Sequence, residues 1–272
     1  MRVCAHIIYI MYENTSYSIR IGGKLLDLTL PVVMGILNAT PDSFYANSRN
    51  QCKEEICKRA EQILEEGGSI IDIGGYSTRP GATDVPEEEE TRRLRTAIQA
   101  VREVASDAFL SIDTFRASVA ERLLDEFGPF IINDVSAAQD PDMLPLVERA
   151  RVPYVYTFVG VPQGVLPEAW KRLEPLVDVI VDPGFGFGKT LDQNYEVMRN
   201  LAFFHHLRRP LLVGVSRKSM ITRLLECPTE EALNGTTVLH TVSLQSGANI
   251  LRVHDVKAAK EAITLISKLR NG

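Results

Sequence analysis

The chain has 272 residues, 45% of them hydrophobic and 24% charged, with a net charge of −5. That length suits one α/β barrel of roughly 250 residues or slightly more, with an ordinary globular core. The negative balance argues against a general nucleic-acid or anionic-membrane surface, but leaves room for a local cationic pocket.

The opening MRVCAHIIYIMY is apolar but short, with no small-residue cleavage site after it, so it reads as a strand. A hairpin is expected over about residues 3–30, turning near residues 13–15 and capping the closed bottom of a barrel. Short apolar runs then follow at 32–37, 70–73, 109–112, 130–132, 153–158, 177–181, 210–215 and 249–253. They are apolar throughout rather than alternating, as in strands covered on both faces.

Helical patterns separate these runs. One spans 52–66 and stops at Gly67–Gly68; another opens at Pro86 with an acidic run, Glu87 to Glu90, read as a solvated helix start. Others cover 116–127, 142–150, 192–207, 229–246 and 256–269. The alternation predicts a single domain over 1–272, a (β/α)8 TIM barrel. The fifth crossover is short: residues 159–176 hold Pro162, Pro167 and Pro175, leaving a helix over 167–173 at best. No run reaches the ~20 residues of a membrane span. Cys4, Cys52, Cys57 and Cys227 lack metal or disulfide spacing and read as reduced residues of a cytoplasmic protein.

Most of the apolar runs end in a polar cluster, as expected where one site is assembled at the C-terminal ends of parallel strands. Asp113 and Asn133 end the third and fourth; each alone is more often a helix cap, but together with Asp182 they suit a heterocycle with several donors and acceptors. Asp182 opens DPGFGFGKT, which is not a Walker A loop because Pro183 stands where its first glycine belongs. Its glycines instead allow a tight loop beside a flat ligand. Ser216–Arg217–Lys218–Ser219 and Arg252–Val253–His254 follow the last two strands, the usual phosphate corner of this fold. An Arg with a Lys and a His nearby is what a diphosphate requires; surface charge is the bland alternative. The Pro-containing loops NATPDSF and STRPG could close over a substrate or be ordinary turns. His205, His206 and His240 are set aside as helix or core residues.

Taken together, MGILNATPDSF, IIDIGGYSTRPGA, SIDTF, IINDVSA, VDPGFGFGKT, LLVGVSRKSMI and ILRVHDV resemble dihydropteroate synthase in sequence and order, across most of the chain. The resemblance implies a folate-pathway transferase that joins 6-hydroxymethyl-7,8-dihydropterin diphosphate to p-aminobenzoate, releases diphosphate, and is a target of sulfonamides. It implies that Asp113, Asn133, Asp182 and Lys218 bind the pterin. Asn38, Arg252 and His254 would take the diphosphate, with Mg²⁺ as cofactor near Asn38. Thr78, Arg79, Pro80, Phe187 and Ser219 would form the p-aminobenzoate region, with Phe44 on a mobile first loop. The implied mechanism is dissociative, with Asp113, Lys218, Arg252 and His254 as the catalytic set and no covalent nucleophile.

The chain departs from the family in three places. Tyr76 stands where the family usually has Glu, and Tyr156-Thr-Phe-Val-Gly160 replaces Met-His-Met-Gln-Gly, moving a pterin-packing role to Phe158 or Tyr156. The shortened fifth crossover should expose apolar surface for something to cover; a homodimer is expected, partly from the family. Two rivals remain: a catalytically silent pterin-binding homologue, and a corrinoid-type pterin methyltransferase domain, which would have no use for the SRKS and RVH residues.

Overall fold

A computed structural model describes residues 16–39, 49–76, 85–160 and 171–271, the side chains of 49–51 and 271 aside. The expected turn near residues 13–15, Phe44, Thr78, Arg79, Pro80, and the start of the 167–173 helix lie outside these residues.

The N-terminal hairpin is formed by β1 (Ser18–Ile21) and β2 (Lys24–Asp27), antiparallel, with Ile21 opposite Lys24. Its turn is at Gly22–Gly23, and both glycines have positive φ (56° and 82°), which other residues adopt at a cost. Eight parallel strands follow: β3 (Val32–Asn38), β4 (Ile70–Gly74), β5 (Phe109–Asp113), β6 (Ile131–Asp134), β7 (Tyr154–Thr157), β8 (Val179–Asp182), β9 (Leu212–Val213) and β10 (Ile250–Val253). The order β8-β7-β6-β5-β4-β3-β10-β9 closes through a bridge between Val181 and Leu211. This is the (β/α)8 barrel, with α1 (Arg49–Glu65), α2 (Glu87–Val104), α3 (Ala117–Phe127), α4 (Met143–Ala150), α5 (Leu191–Arg199), α6 (Ser219–Leu225), α7 (Leu233–Gln245) and α8 (Val256–Asn271) around it.

The hydrophobic residues sort into two cores. Ile19, Ile21, Leu26 and Leu28 of the hairpin plug the bottom of the barrel against Met34, Ile70, Ile131, Val155, Ile180, Leu212 and Ile250. The second core lies between strands and helices. Each fully buried Leu or Ile contributes roughly 1.5–3 kcal/mol, so the hairpin holds the floor under the site.

Two helical expectations need refinement. The 192–207 segment breaks into α5 and a 3-10 turn, Leu201–Leu207; the 229–246 segment begins as a 3-10 turn, Thr229–Glu231, before α7. The acidic run is not wholly solvated. Glu90 is 0% exposed, bonded by Thr114 Oγ1 at 2.7 Å and paired with Arg116 at 2.5 Å. Four successive charges on a helix cannot all face water, and this one turns inward.

The short fifth crossover does not leave the outer face of β7 bare. Tyr154, Tyr156 and Phe158 are 0%, 5% and 1% exposed. Tyr156 and Phe158 meet edge-on at 5.1 Å between centroids, and Phe158 meets Phe204 at 5.6 Å. Residues 171–173 are helical, and Leu173 and Leu176 are buried in the same core.

Candidate active site

Strand alternation explains which side chains meet. Met34, Ile70, Ile131, Val155, Ile180, Leu212 and Ile250 face the barrel axis. Residues two further along each strand face the same way. Those residues are Ile36, Asp72, Asn133, Thr157, Asp182, Gly214 and Arg252. One apolar layer is thus followed, toward the C-terminal ends, by a largely polar one. Asp113, Asn38, Ser216 and His254 come next.

Arg252 is the hub. Its Nε donates to Asp72 Oδ2 at 2.7 Å and its Nη2 to Asp113 Oδ2 at 2.5 Å. Burial works against its charge, but Asp72 and Asp113 hold its pKa above the ordinary arginine range. Burial pushes the Asp113 carboxyl up to about 7; Arg252 opposes that shift, and Asp72 adds to it. Asn133 Nδ2 donates to both Asp72 oxygens at 3.2 Å, which leaves its amide oxygen for another donor. Asp72 was missed in the sequence because it lies inside the apolar run IIDIGG. The available signal was a carboxylate two residues beyond an inward-facing Ile70.

Asp182 is 4% exposed and accepts the Gly184 N–H at 2.8 Å. Burial raises its pKa, while Lys218 and the Gly184 bond pull the other way. Lys218 sits half-buried with its Nζ 4.6 Å from the centroid of the Phe187 ring, and donates to the Phe185 carbonyl. Burial lowers its pKa to about 8 against the pull of Asp182. An acid raised and an amine lowered, side by side, form a polar end for a flat ligand carrying both donors and acceptors.

The loop after β8 is locked by Lys189, a residue the sequence reading did not single out. Its Nζ donates to the carbonyls of Phe158, Gly184 and Phe187 at 2.8, 2.8 and 3.2 Å. Gly184 is required there: its φ is +70°, and an added Cβ would lie 2.1 Å from the Phe158 oxygen. The loop presents Phe187, half-buried, next to Lys218.

At the last corner, Ser216 Oγ accepts the His254 backbone N–H at 3.2 Å and lies 3.1 Å from His254 Nδ1. Arg217 turns away from the barrel in a left-handed conformation (φ 53°) and grips both oxygens of Asp255 at 2.8 and 2.9 Å. That turn aims Lys218 inward. Ser219 is exposed at the start of α6. Asn38 is half-buried at the end of β3, in register with Gly74. The structure thus brings Asp113, Asn133, Asp182, Lys218, Arg252 and His254 to one end of the barrel, with Asn38, Phe187 and Ser219 at the ends of neighbouring elements. Tyr76 packs edge-on against Phe115 at 5.3 Å and lies 5.5 Å from the Arg116 guanidinium.

Comparison with known proteins agrees with this geometry. The family model described as pterin binding enzyme matches residues 34–178 and 174–254. The dihydropteroate synthase of Escherichia coli (strain K12) is 36% identical over 265 residues, covering 90% of this chain and 93% of that protein. Among solved structures, the Xanthomonas albilineans dihydropteroate synthase with 4-aminobenzoic acid is 35% identical with a TM-score of 0.86, covering 94% of this chain and 99% of the other. The same bacterium's enzyme in complex with 7,8-dihydropteroate is 32% identical with a TM-score of 0.82, covering 93% and 99%. With both the family model and these relatives spanning most of its length, the chain belongs to the pterin-binding enzyme family, among the dihydropteroate synthases.

Proposed function

We propose the following chemistry for the dihydropteroate synthase activity that this membership carries. The substrates are 6-hydroxymethyl-7,8-dihydropterin diphosphate and p-aminobenzoate; the products are 7,8-dihydropteroate and diphosphate. The carrying observation is the buried set Asp72, Asp113, Asn133 and Asp182, gathered with the part-buried Arg252 at one end of the barrel. Asp182 accepts the adjacent ring N–H donors of the pterin, Asn133 and Asp113 hold other edges, and Lys218 reaches the ring carbonyl side. Arg252 and His254 lie where the diphosphate would sit. As the methylene–oxygen bond breaks, its electron pair leaves with the diphosphate, and Arg252 offsets that charge. Asp113, just released by Arg252, faces the resulting cation. The amine of p-aminobenzoate, seated by Phe187, Ser219 and the segment of Thr78, Arg79 and Pro80, forms the new C–N bond and loses a proton.

Magnesium fits the corner in one respect. Asn38 has an amide oxygen at a strand end, and Mg²⁺ is commonly held by one or two protein oxygens plus substrate phosphates. No group of three His, Cys, Asp or Glu suited to a metal occurs among the described residues. When bound, the ion would neutralise part of the diphosphate charge.

The test is to mix the protein with both substrates and Mg²⁺ and look for dihydropteroate by mass spectrometry. Product is expected. Its absence, with the pterin still bound, would point to the silent homologue. The reading includes a homodimer and a cytoplasmic setting. Val238, Leu265 and Leu269, 54%, 66% and 77% exposed on the packed helices α7 and α8, support pairing with a second copy. A monomeric mass by light scattering at micromolar concentration would reject it. No described helix is long and apolar enough to cross a membrane, and Cys52, Cys57 and Cys227 carry no disulfide.

A further inference from the structure

Arg59 lies on α1, outside the barrel, yet it reaches the end of two strands. Its Nη2 donates to the His254 carbonyl at 2.7 Å and its Nε to the Ile36 carbonyl at 3.3 Å; Nη1 is steered by Gln62 Oε1 at 3.1 Å. The ladder between β10 and β3 ends at the pair Val253 and Gly35. Ile36 and His254 are the next residues on each strand. The guanidinium therefore supplies one more rung beyond the last backbone pair. The planar fork reaches the two carbonyls through separate nitrogens, Nε and Nη2, a fixed spacing that one ammonium nitrogen does not reproduce. The placement is costly: burial lowers the pKa of Arg59, opposed by Glu66 and Asp255, and its hydrogen-bond partners include no carboxylate.

What that rung controls follows from position. Asn38 is two residues beyond Ile36 on the same strand face, and His254 is bridged directly. We propose that Arg59 is a positioning residue that fixes the spacing between Asn38 and His254, so that both face one diphosphate. This rests on reading that corner as the diphosphate site. Displacements of about 1 Å in such a site can cost on the order of 100-fold. An open groove of about 490 Å³ between α1 and α8 already has both Arg59 and His254 in its wall. Truncating Arg59 would let water behind the histidine.

The test uses the full chain and its Arg59→Met and Arg59→Lys variants. Two probes are titrated by calorimetry in Mg²⁺: inorganic diphosphate and 6-hydroxymethylpterin lacking diphosphate. Both variants should bind diphosphate at least about tenfold more weakly, within the loss that a displacement of about 1 Å can cause. Binding of the diphosphate-free pterin should stay within about twofold. The KM for the pterin diphosphate should rise in parallel, while that for p-aminobenzoate does not. Diphosphate binding equal to wild type in either variant would overturn the proposal; full recovery in Arg59→Lys would mean charge rather than bridging matters. Equal weakening of both probes would make Arg59 merely structural and also overturn it. A wild-type protein that binds the pterin but no diphosphate would instead refute the reading of the corner itself.

Discussion

Arg252 Nη2 and Asp113 Oδ2 meet at 2.5 Å where the barrel opens. Without substrate, the cation that would hold the diphosphate and the acid that would face the pterin cation neutralise each other. On the proposed reading, pterin diphosphate would compete for Arg252 and leave Asp113 available. Arg252→Ala should therefore raise the KM for the pterin diphosphate by well over tenfold, since a charge-assisted contact contributes roughly 1.5–3 kcal/mol. Steady-state kinetics check this; an unchanged KM would remove Arg252 from the site.

Asp113 makes a prediction about stability as well as rate. Burial raises its carboxyl from 3.8 to about 7 in the folded chain. The ionised form is thus disfavoured by folding. The stability held with a neutral Asp113 is complete below the unfolded pKa and is lost as pH rises through about 7. Asp113→Asn should lower kcat sharply, yet its thermal midpoint relative to wild type should improve from pH 5 to pH 8. Scanning calorimetry at the two pH values tests this, and a pH-independent difference would contradict it.

Asp182→Asn should abolish pterin binding. The substitution swaps an acceptor for a donor where the proposed pterin would present its N–H edge, in a residue 4% exposed that cannot turn away to water. Calorimetry with the pterin is the check; retained affinity would mean the ring is held elsewhere.

Lys189→Met should act through the loop. Three carbonyls converge on the ammonium at 2.8–3.2 Å, and methionine leaves all of them without that donor. Phe187 would lose its fixed place, so the KM for p-aminobenzoate should rise about tenfold and more than that for the pterin diphosphate. Equal effects on the two would contradict the assignment.

Glu90→Ala removes a carboxylate that is 0% exposed and leaves both Thr114 Oγ1 and the part-buried Arg116 without their acceptor there. Losing such a charge-assisted contact costs about 1.5–3 kcal/mol. Urea unfolding should show that loss; a change below about 1 kcal/mol would mean that solvent or another group takes over.

The barrel was legible because apolar runs and helical patterns alternate, and most runs end in chemistry. Asp113, Asn133 and Asp182 were found for that reason. Asp72 was not, because it precedes the end of its strand, and only the inward or outward phase of that strand reveals it. The acidic run misled in the opposite way: composition made it a solvated face, whereas helix phase buries Glu90. Lys189 and Arg59 act on backbone carbonyls of distant segments, Phe158 and His254 among them, and no local pattern encodes such contacts. The Gly22–Gly23 turn was passed over because attention fell on residues 13–15, which lie outside the described residues.

Diphosphate release from the pterin diphosphate in Mg²⁺, measured with and without p-aminobenzoate, tests the central claim most directly. Release that depends on p-aminobenzoate and yields dihydropteroate is the predicted result. No release from a protein that still binds the pterin diphosphate would contradict it, and would mean that the buried acids and Arg252 hold a ligand they do not turn over.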